Sequence, residues 1–459
     1  MQAPKSNTPT IAETLAGCVT GTRLDDLPPL ALERAKMSMA STISSAAMGL
    51  DIGSTRIIRE LEIEQGGPPQ ATVWFDGARL PVTGAARANA LASDAAASDD
   101  SDLRNIAHIG TIVSATALAM AERLDRSGRE VLGAMVLGYE VAGRIDEALT
   151  PGRTQKGLHS SISTIFGGAV AAGTLLRLDP ARMAQAIAIS ASSIGGLATA
   201  ADTSWSREYH AGLAATLGVQ AALAAQRGFV AEAAILETPR GFFASFGGQA
   251  LDEVTKDFGQ SWDIVTNMAI KLMPGGHPNH AVAEAAAQAA IAGQVDPYAV
   301  DRVIVGATQL RDRRNGPTHP TDLIGIAHSM VYIVSAAIAD RGFSWEHATA
   351  EKVADPRIRV LLDKVAYDPD TGPLPDRFTH HHGGTVTIVM KNGQRFSHTC
   401  TAPRGSGPRG VEWADVDAKY RRLVPLSGLA GERIEESLQM IHGLDQLASV
   451  PAFTRLLLR

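Results

Sequence analysis

The sequence predicts a mainly α protein, a large all-helical domain joined to a smaller α+β domain, and three observations carry this. Ala and Gly dominate residues 80–295, a strand and a hairpin pattern follow, and the C-terminal segment returns to amphipathic helix. A chain of 459 residues exceeds what one hydrophobic core usually supports, so two domains are expected. The segments 111–124, 129–149, 165–178, 180–193 and 211–228 are apolar nearly all round, as in helices buried within a large protein. Their boundaries carry local signals: Asp179 precedes Pro180 at a first helical turn, and Gly228 follows a helix end. With aromatics at only 5%, these helices have small side chains that let backbones approach closely.

After residue 295 the pattern changes. "YAVDRVIVGAT" (298–308) alternates like a strand, and "GGTVTIVMKNGQRFSHTC" (383–400) reads as a hairpin around Asn392-Gly393. "HHH" at 380–382 is a short polar loop before it. Residues 412–447 return to amphipathic helix and can pack back on the first domain, which makes that domain discontinuous: 1–268 with 405–459, around a smaller domain at 269–404.

A net charge of −6 with mixed signs excludes the basic stripe needed for nucleic acid. No run of apolar residues is long enough for a membrane span, and the N-terminus lacks a signal-peptide pattern, so a soluble cytoplasmic protein is expected. Cys18 and Cys400 are far apart, which suggests neither a disulfide framework nor a thiolate metal site.

Ionisable residues gather in a few apolar or glycine-rich places. "SDDSDLRNIAHIG" (98–110) holds Asp99, Asp100, Asp102, Arg104 and His108 before a buried helix, where acidic groups can also serve the helix dipole. "GLHSSISTIFGG" (157–168) places His159 and several hydroxyls at a helix start, with Ser160 or Ser161 as plain caps on the simpler reading. "SWSREYHAG" offers Arg207, suited to bidentate carboxylate recognition or to a surface pair with Glu208 or Asp202. "KLMPGGHPNH" (271–280) combines Lys271 with His277 and His280. Lys271 can move a proton or hold an anion, while HxxH alone lacks the i, i+4 spacing and third ligand of a zinc site, so no metal is expected. Tyr139 and His328 read more simply as core residues.

Taken in order, "DDSDLRNIAHIGTIVSATALAMAE", "GYEVAGRI", "GLHSSISTIFGGAVAAGTLLRLD", "REYHAGLAATLGVQAALAAQRGF", "LETPRGFFASFG", "KLMPGGHPNHAVAEAA", "IAHSMVYIVSAAI" and "APRGSGPRGVEWADVDAKY" resemble the MmgE/PrpD family across nearly the whole chain. That family includes 2-methylcitrate dehydratase, cis-aconitate decarboxylase and iminodisuccinate epimerase activities. The resemblance implies a homodimer of two-domain subunits, the smaller domain acting as a lid, with a site between them for small di- or tricarboxylates and no metal or organic cofactor. It places catalytic roles on His108, His159 and Lys271 and brings Arg207 and His280 to the site; Asp99, Asp100, Tyr139 and His277, the last at a position the family pattern does not fix, are further candidates for substrate binding.

Four departures from the family pattern stand out. Ala97 occupies the place of an active-site aspartate, Arg207 that of a lysine, Ile109 that of a proline, and Gly276 that of a cysteine. Asp94, Asp99 and Asp100 are the carboxylates available to replace the missing one. The activity expected is a lyase of the dehydratase type, with an epimerase/isomerase or decarboxylase as the close alternative. The rivals from other classes are a non-catalytic polycarboxylate-binding paralogue and a metallohydrolase using His277 and His280.

Overall fold

The computed structural model describes residues 8–104, 106–193, 195–199, 205–249, 251–307, 316–368 and 383–459. Its architecture is mainly α, with small sheets. The buried helical segments appear as Ile109–Leu124, Gly128–Ala148, Ser161–Leu175, Pro180–Ala191 and Ser206–Gln226. Asp179 caps Pro180–Ala191 by accepting from the Arg182 N–H. Gly228, at φ 88, stands just beyond the end of Ser206–Gln226.

Small residues set how closely these helices approach. A Cβ added at Gly138 would lie 2.6 Å from the Gly167 carbonyl oxygen, and one at Gly218 would lie 2.7 Å from Ala169 N and 2.8 Å from Gly168 C. Backbone therefore meets backbone where Ser161–Leu175 crosses its neighbours. Aromatic residues are scarce in this core because there is no room for them.

Two main hydrophobic clusters result. One joins residues between Ala12 and Ile270 with residues from Val411 to Leu457, so the helices Trp413–Leu423 and Gly431–His442 pack on the N-terminal layer, chiefly against Pro29–Gly49. The other is drawn from residues between Met273 and Cys400. In it, a four-stranded sheet of order β6-β5-β7-β8 comprises β5 (Val300–Gly306), β6 (Val365–Tyr367), β7 (Gly384–Met390) and β8 (Arg395–Cys400). β5 and β6 are parallel and the other pairs antiparallel. Helix Pro278–Ala292 packs on β7 and β8 and against Met330–Asp340. The β7–β8 hairpin turns where expected, with Gly393 at φ 86. The triple histidine at 380–382 lies outside the described residues. No helix among the described residues is long and apolar enough to cross a membrane.

Close packing makes a prediction that separates two glycines. Gly218→Ala should lower stability by about 1–3 kcal/mol, because the new methyl meets backbone that cannot move aside. Gly17→Ala, on an exposed helical position with nothing within 4 Å, should raise it by about 0.5–1 kcal/mol. Thermal unfolding of both variants checks the pair, and equal effects would contradict the packing described.

Candidate active site

Two three-residue strands bring the first pair of charges together. β3 (Asp100–Asp102) runs antiparallel to β4 (Met268–Ile270), with Asp100 opposite Ile270, so Asp99 and Lys271 become neighbours just beyond the ladder. The Lys271 backbone N–H donates to Asp99 O at 3.2 Å, and Lys271 Nζ donates to Asp99 Oδ1 at 2.7 Å. Alternation along the strand turns Asp100 the other way. It accepts a short hydrogen bond from Ser38 on helix Pro29–Gly49.

Adjacent in sequence, the two aspartates differ in charge. Burial opposes ionisation of both. At Asp99 the charges of His108 and Lys271 outweigh it and hold the carboxyl well below its ordinary range. At Asp100 burial prevails, the neighbouring Asp99 adds to it, and the carboxyl is pushed up to about 7.

His108 caps helix Ile109–Leu124. Its Nδ1 lies 2.6 Å from Asp94 Oδ1 and 2.9 Å from Asp99 Oδ2. Both oxygens lie within ion-pair distance of this one nitrogen, so the two carboxylates share it. Thr111 Oγ1 donates to Asp99 Oδ2 at 2.7 Å and keeps that carboxylate in place. Burial disfavours protonation of His108, but Asp99, aided by Asp94, outweighs it and the pKa is raised.

Asp94 is the carboxylate that completes the group. It stands in the last turn of helix Val82–Ala95, before a left-handed residue at Ala97 (φ 49). Arg207, from helix Ser206–Gln226, places Nε 3.1 Å from Asp94 Oδ2, and its Nη2 donates to the carbonyls of Asp94 and Ala95 at 2.7 and 3.0 Å. Burial works against the Asp94 charge, yet Arg207 and His108 prevail and hold its pKa down to about 2. Arg207 was expected to clamp a substrate carboxylate. The carboxylate it holds is the protein's own, and its contact with Glu208, at 3.8 Å, is the longer one.

His159 lines, with His108 and Asp94, a pocket of about 10 Å3 that Ile112, Thr164 and Ala211 help enclose. Its Nδ1 accepts from the Ser161 N–H at 3.3 Å and lies 3.2 Å from Ser161 Oγ, which itself accepts from Gly196 N–H at 3.2 Å. A ring nitrogen that accepts carries no proton, so neutral His159 bears its proton on Nε2. Burial, and then the His108 charge, lower its pKa to about 3, and it stays neutral.

Asp100, His277, His280 and Tyr139, expected as substrate-binding residues, are not among the residues lining this pocket. Asp100 is turned away by the strand. His280 is buried, with Nε2 3.1 Å from Gly275 O, and burial brings its pKa to about 3; its ring lies 4.7 Å from that of His277. Gly275 adopts φ 115 there, close against Ala327 O, so the glycine is required by the turn. Tyr139 is buried near Asp100, Asp102, Asp263 and Arg104, and burial raises its pKa well above the ordinary value. Arg104 joins a separate network with Asp102, Asp263 and Glu147.

Asp94, Asp99 and His108 bring three possible metal-ligand atoms within 4.8 Å of one another. Arg207 and Lys271 already neutralise those carboxylates, so a divalent ion would face two fixed cations. His277 and His280 belong to no such group among the described residues.

Comparison with known proteins places the chain in a family. Residues 13–254 match the MmgE/PrpD N-terminal domain and residues 273–442 the MmgE/PrpD C-terminal domain. The chain belongs to the MmgE/PrpD family. It is 25% identical to the cis-aconitate decarboxylase of Homo sapiens, over 97% of this chain and 94% of that one. It is 28% identical to the cis-aconitate decarboxylase of Aspergillus terreus (strain NIH 2624), over 94% and 93%. A cis-aconitate decarboxylase-like protein of Aspergillus oryzae is 22% identical, over 96% and 95%.

The Asp100 environment makes a prediction about stability. Its carboxyl titrates near 3.8 when unperturbed and near 7 when folded, so between those values the folded state binds the extra proton. Stability attributable to Asp100 therefore falls as pH rises through that window and levels above it. Asp100→Asn removes this dependence, and its gain in Tm should grow from pH 4 to pH 7 and then hold constant. A gain that is the same at every pH would contradict the assignment.

Proposed function

We propose that the pocket between His108 and His159 is the active site of a lyase for a small di- or tricarboxylate. The observation that carries this reading is a histidine held by two carboxylates facing a neutral histidine that presents an N–H. With Nδ1 engaged by Asp94 and Asp99, His108 has Nε2 left for substrate. Unprotonated at that atom, it is a base strengthened by both carboxylates. It takes a proton from the carbon beside a substrate carboxylate, and the electron pair forms a carbon–carbon double bond as the carbon–oxygen bond breaks. The proton held by His108 passes to the departing hydroxide, so the products are an alkene and water. The His159 Nε2–H donates to the carboxylate oxygen where negative charge develops.

Arg207, Lys271 and, when protonated, His108 are the cations available to an anionic substrate, which competes for them with Asp94, Asp99 and, 3.8 Å from Arg207, Glu208. A space of about 10 Å3 is the size of one water probe, so a polycarboxylate has to widen it. Exchange of a substrate carboxylate for Asp99 on Lys271 supplies both the contact and the room.

Decarboxylation is the second reading, favoured by the names of the relatives. There the bond to the leaving carbon dioxide breaks, and the resulting electron pair takes a proton from His108 Nε2. The two reactions need opposite protonation states of one residue.

A substrate panel containing 2-methylcitrate, citrate and cis-aconitate, followed by alkene absorbance and carbon dioxide release, tests the proposal. Elimination predicts a kcat/KM that rises with pH through the raised pKa of His108, above 6.5. Decarboxylation predicts a fall over the same range. His108→Gln should lower kcat roughly 100- to 10,000-fold in either case. Turnover of no polycarboxylate, or full activity in His108→Gln, overturns the reading.

A further inference from the structure

A second cavity of about 720 Å3 opens beside the residues that follow Lys271. Leu272 and Met273 line it, as do the turn at Arg341–Glu346 and Lys419 of helix Trp413–Leu423. It shares no lining residue with the His108 pocket. Three of its arginines are matched across it: Arg404 with Asp415 at 2.7 Å, Arg409 with Glu284 at 2.5 Å, and Arg422 with Glu346 at 3.3 Å. Arg341 and Lys419 have no carboxylate partner among the described residues.

Lys419 is the telling one. It is 2% exposed, like Lys271 and Arg207, which are 1% and 4% exposed and each have an aspartate. Lys419 has only neutral partners: Nζ donates to Ser41 Oγ at 2.7 Å and to the Ser98 carbonyl, with the Trp345 ring 5.6 Å away. An ammonium has three N–H groups, so one is left for the cavity. The charges of Asp99 and Asp100 reach this cation only from beyond ion-pair distance and do not offset its burial, and an anion in the adjoining space lowers that cost. Burial accordingly lowers the Lys419 pKa to about 7.

We propose that this cavity is a second anion-binding site, separate from the His108 pocket, that takes a small metabolite with two anionic groups, one bound by Lys419 and one by Arg341. The shared chemistry is that of a polycarboxylate or a phosphate ester. Occupancy reaches the first site through the backbone, because Lys419 holds the carbonyl of Ser98, the residue before Asp99. The site does not depend on which reaction His108 performs.

Calorimetric titration of the whole protein with tricarballylate, and separately with inorganic pyrophosphate, reads binding without turnover. At least one anion should bind, with affinity about tenfold or more weaker in Lys419→Met, as expected for loss of a charged hydrogen bond, and also weaker in Arg341→Ala. Dependence for tricarballylate alone assigns the site to polycarboxylates, and for pyrophosphate alone to phosphate esters. Arg341 is exposed, so Arg341→Ala decides the matter even where Lys419→Met does not fold. No binding of either anion, or binding unchanged in the folded variants, overturns the proposal.

Discussion

The shared ion pair at His108 is the interaction on which the rest of the candidate site depends. Through it, charges alternate from Arg207 to Asp94, His108, Asp99 and Lys271. Each member comes from a different element: two helices, a helix cap, the approach to β3 and the exit from β4. None is tolerable alone at such burial, because an unpaired buried charge costs several kcal/mol. These five side chains therefore hold together as a unit.

The pairing of Asp94 with Arg207 suits an arginine better than a lysine. Asp94 sits at a helix C-terminus, where the backbone dipole disfavours an anion. Arg207 answers this by reaching both the carboxylate and the carbonyls of residues 94 and 95. Lysine, a point charge on a flexible stem, lacks the planar fork that spans three acceptors. An arginine at 207 and a carboxylate at 94 thus fit one another.

Much of this was legible in the sequence, and what was not has physical reasons. The buried helices, the turn at Gly393 and the cap at Asp179 follow from local periodicity and backbone preference. His108 and Lys271 stood out because charge beside apolar sequence is expensive. The pairing of Asp94 with Arg207 spans 113 positions and passes a left-handed turn at Ala97, so nothing local chooses it over Asp99 or Asp100. Tyr139 sits on a helix whose register points it at Arg104 and its acids, which composition does not reveal. Lys419 lies in "DVDAKYRRL", indistinguishable from a solvated helix face until Pro29–Gly49 packs over it.

The central claim is that two carboxylates share the His108 imidazolium. NMR titration of the protein with 15N-labelled histidine, in wild type and in Asp94→Asn, tests it at the atom concerned. The account predicts that His108 remains protonated above the ordinary value of 6.5, and that Asp94→Asn lowers its pKa. A wild-type His108 that titrates at or below 6.5, or a pKa untouched by Asp94→Asn, would contradict it.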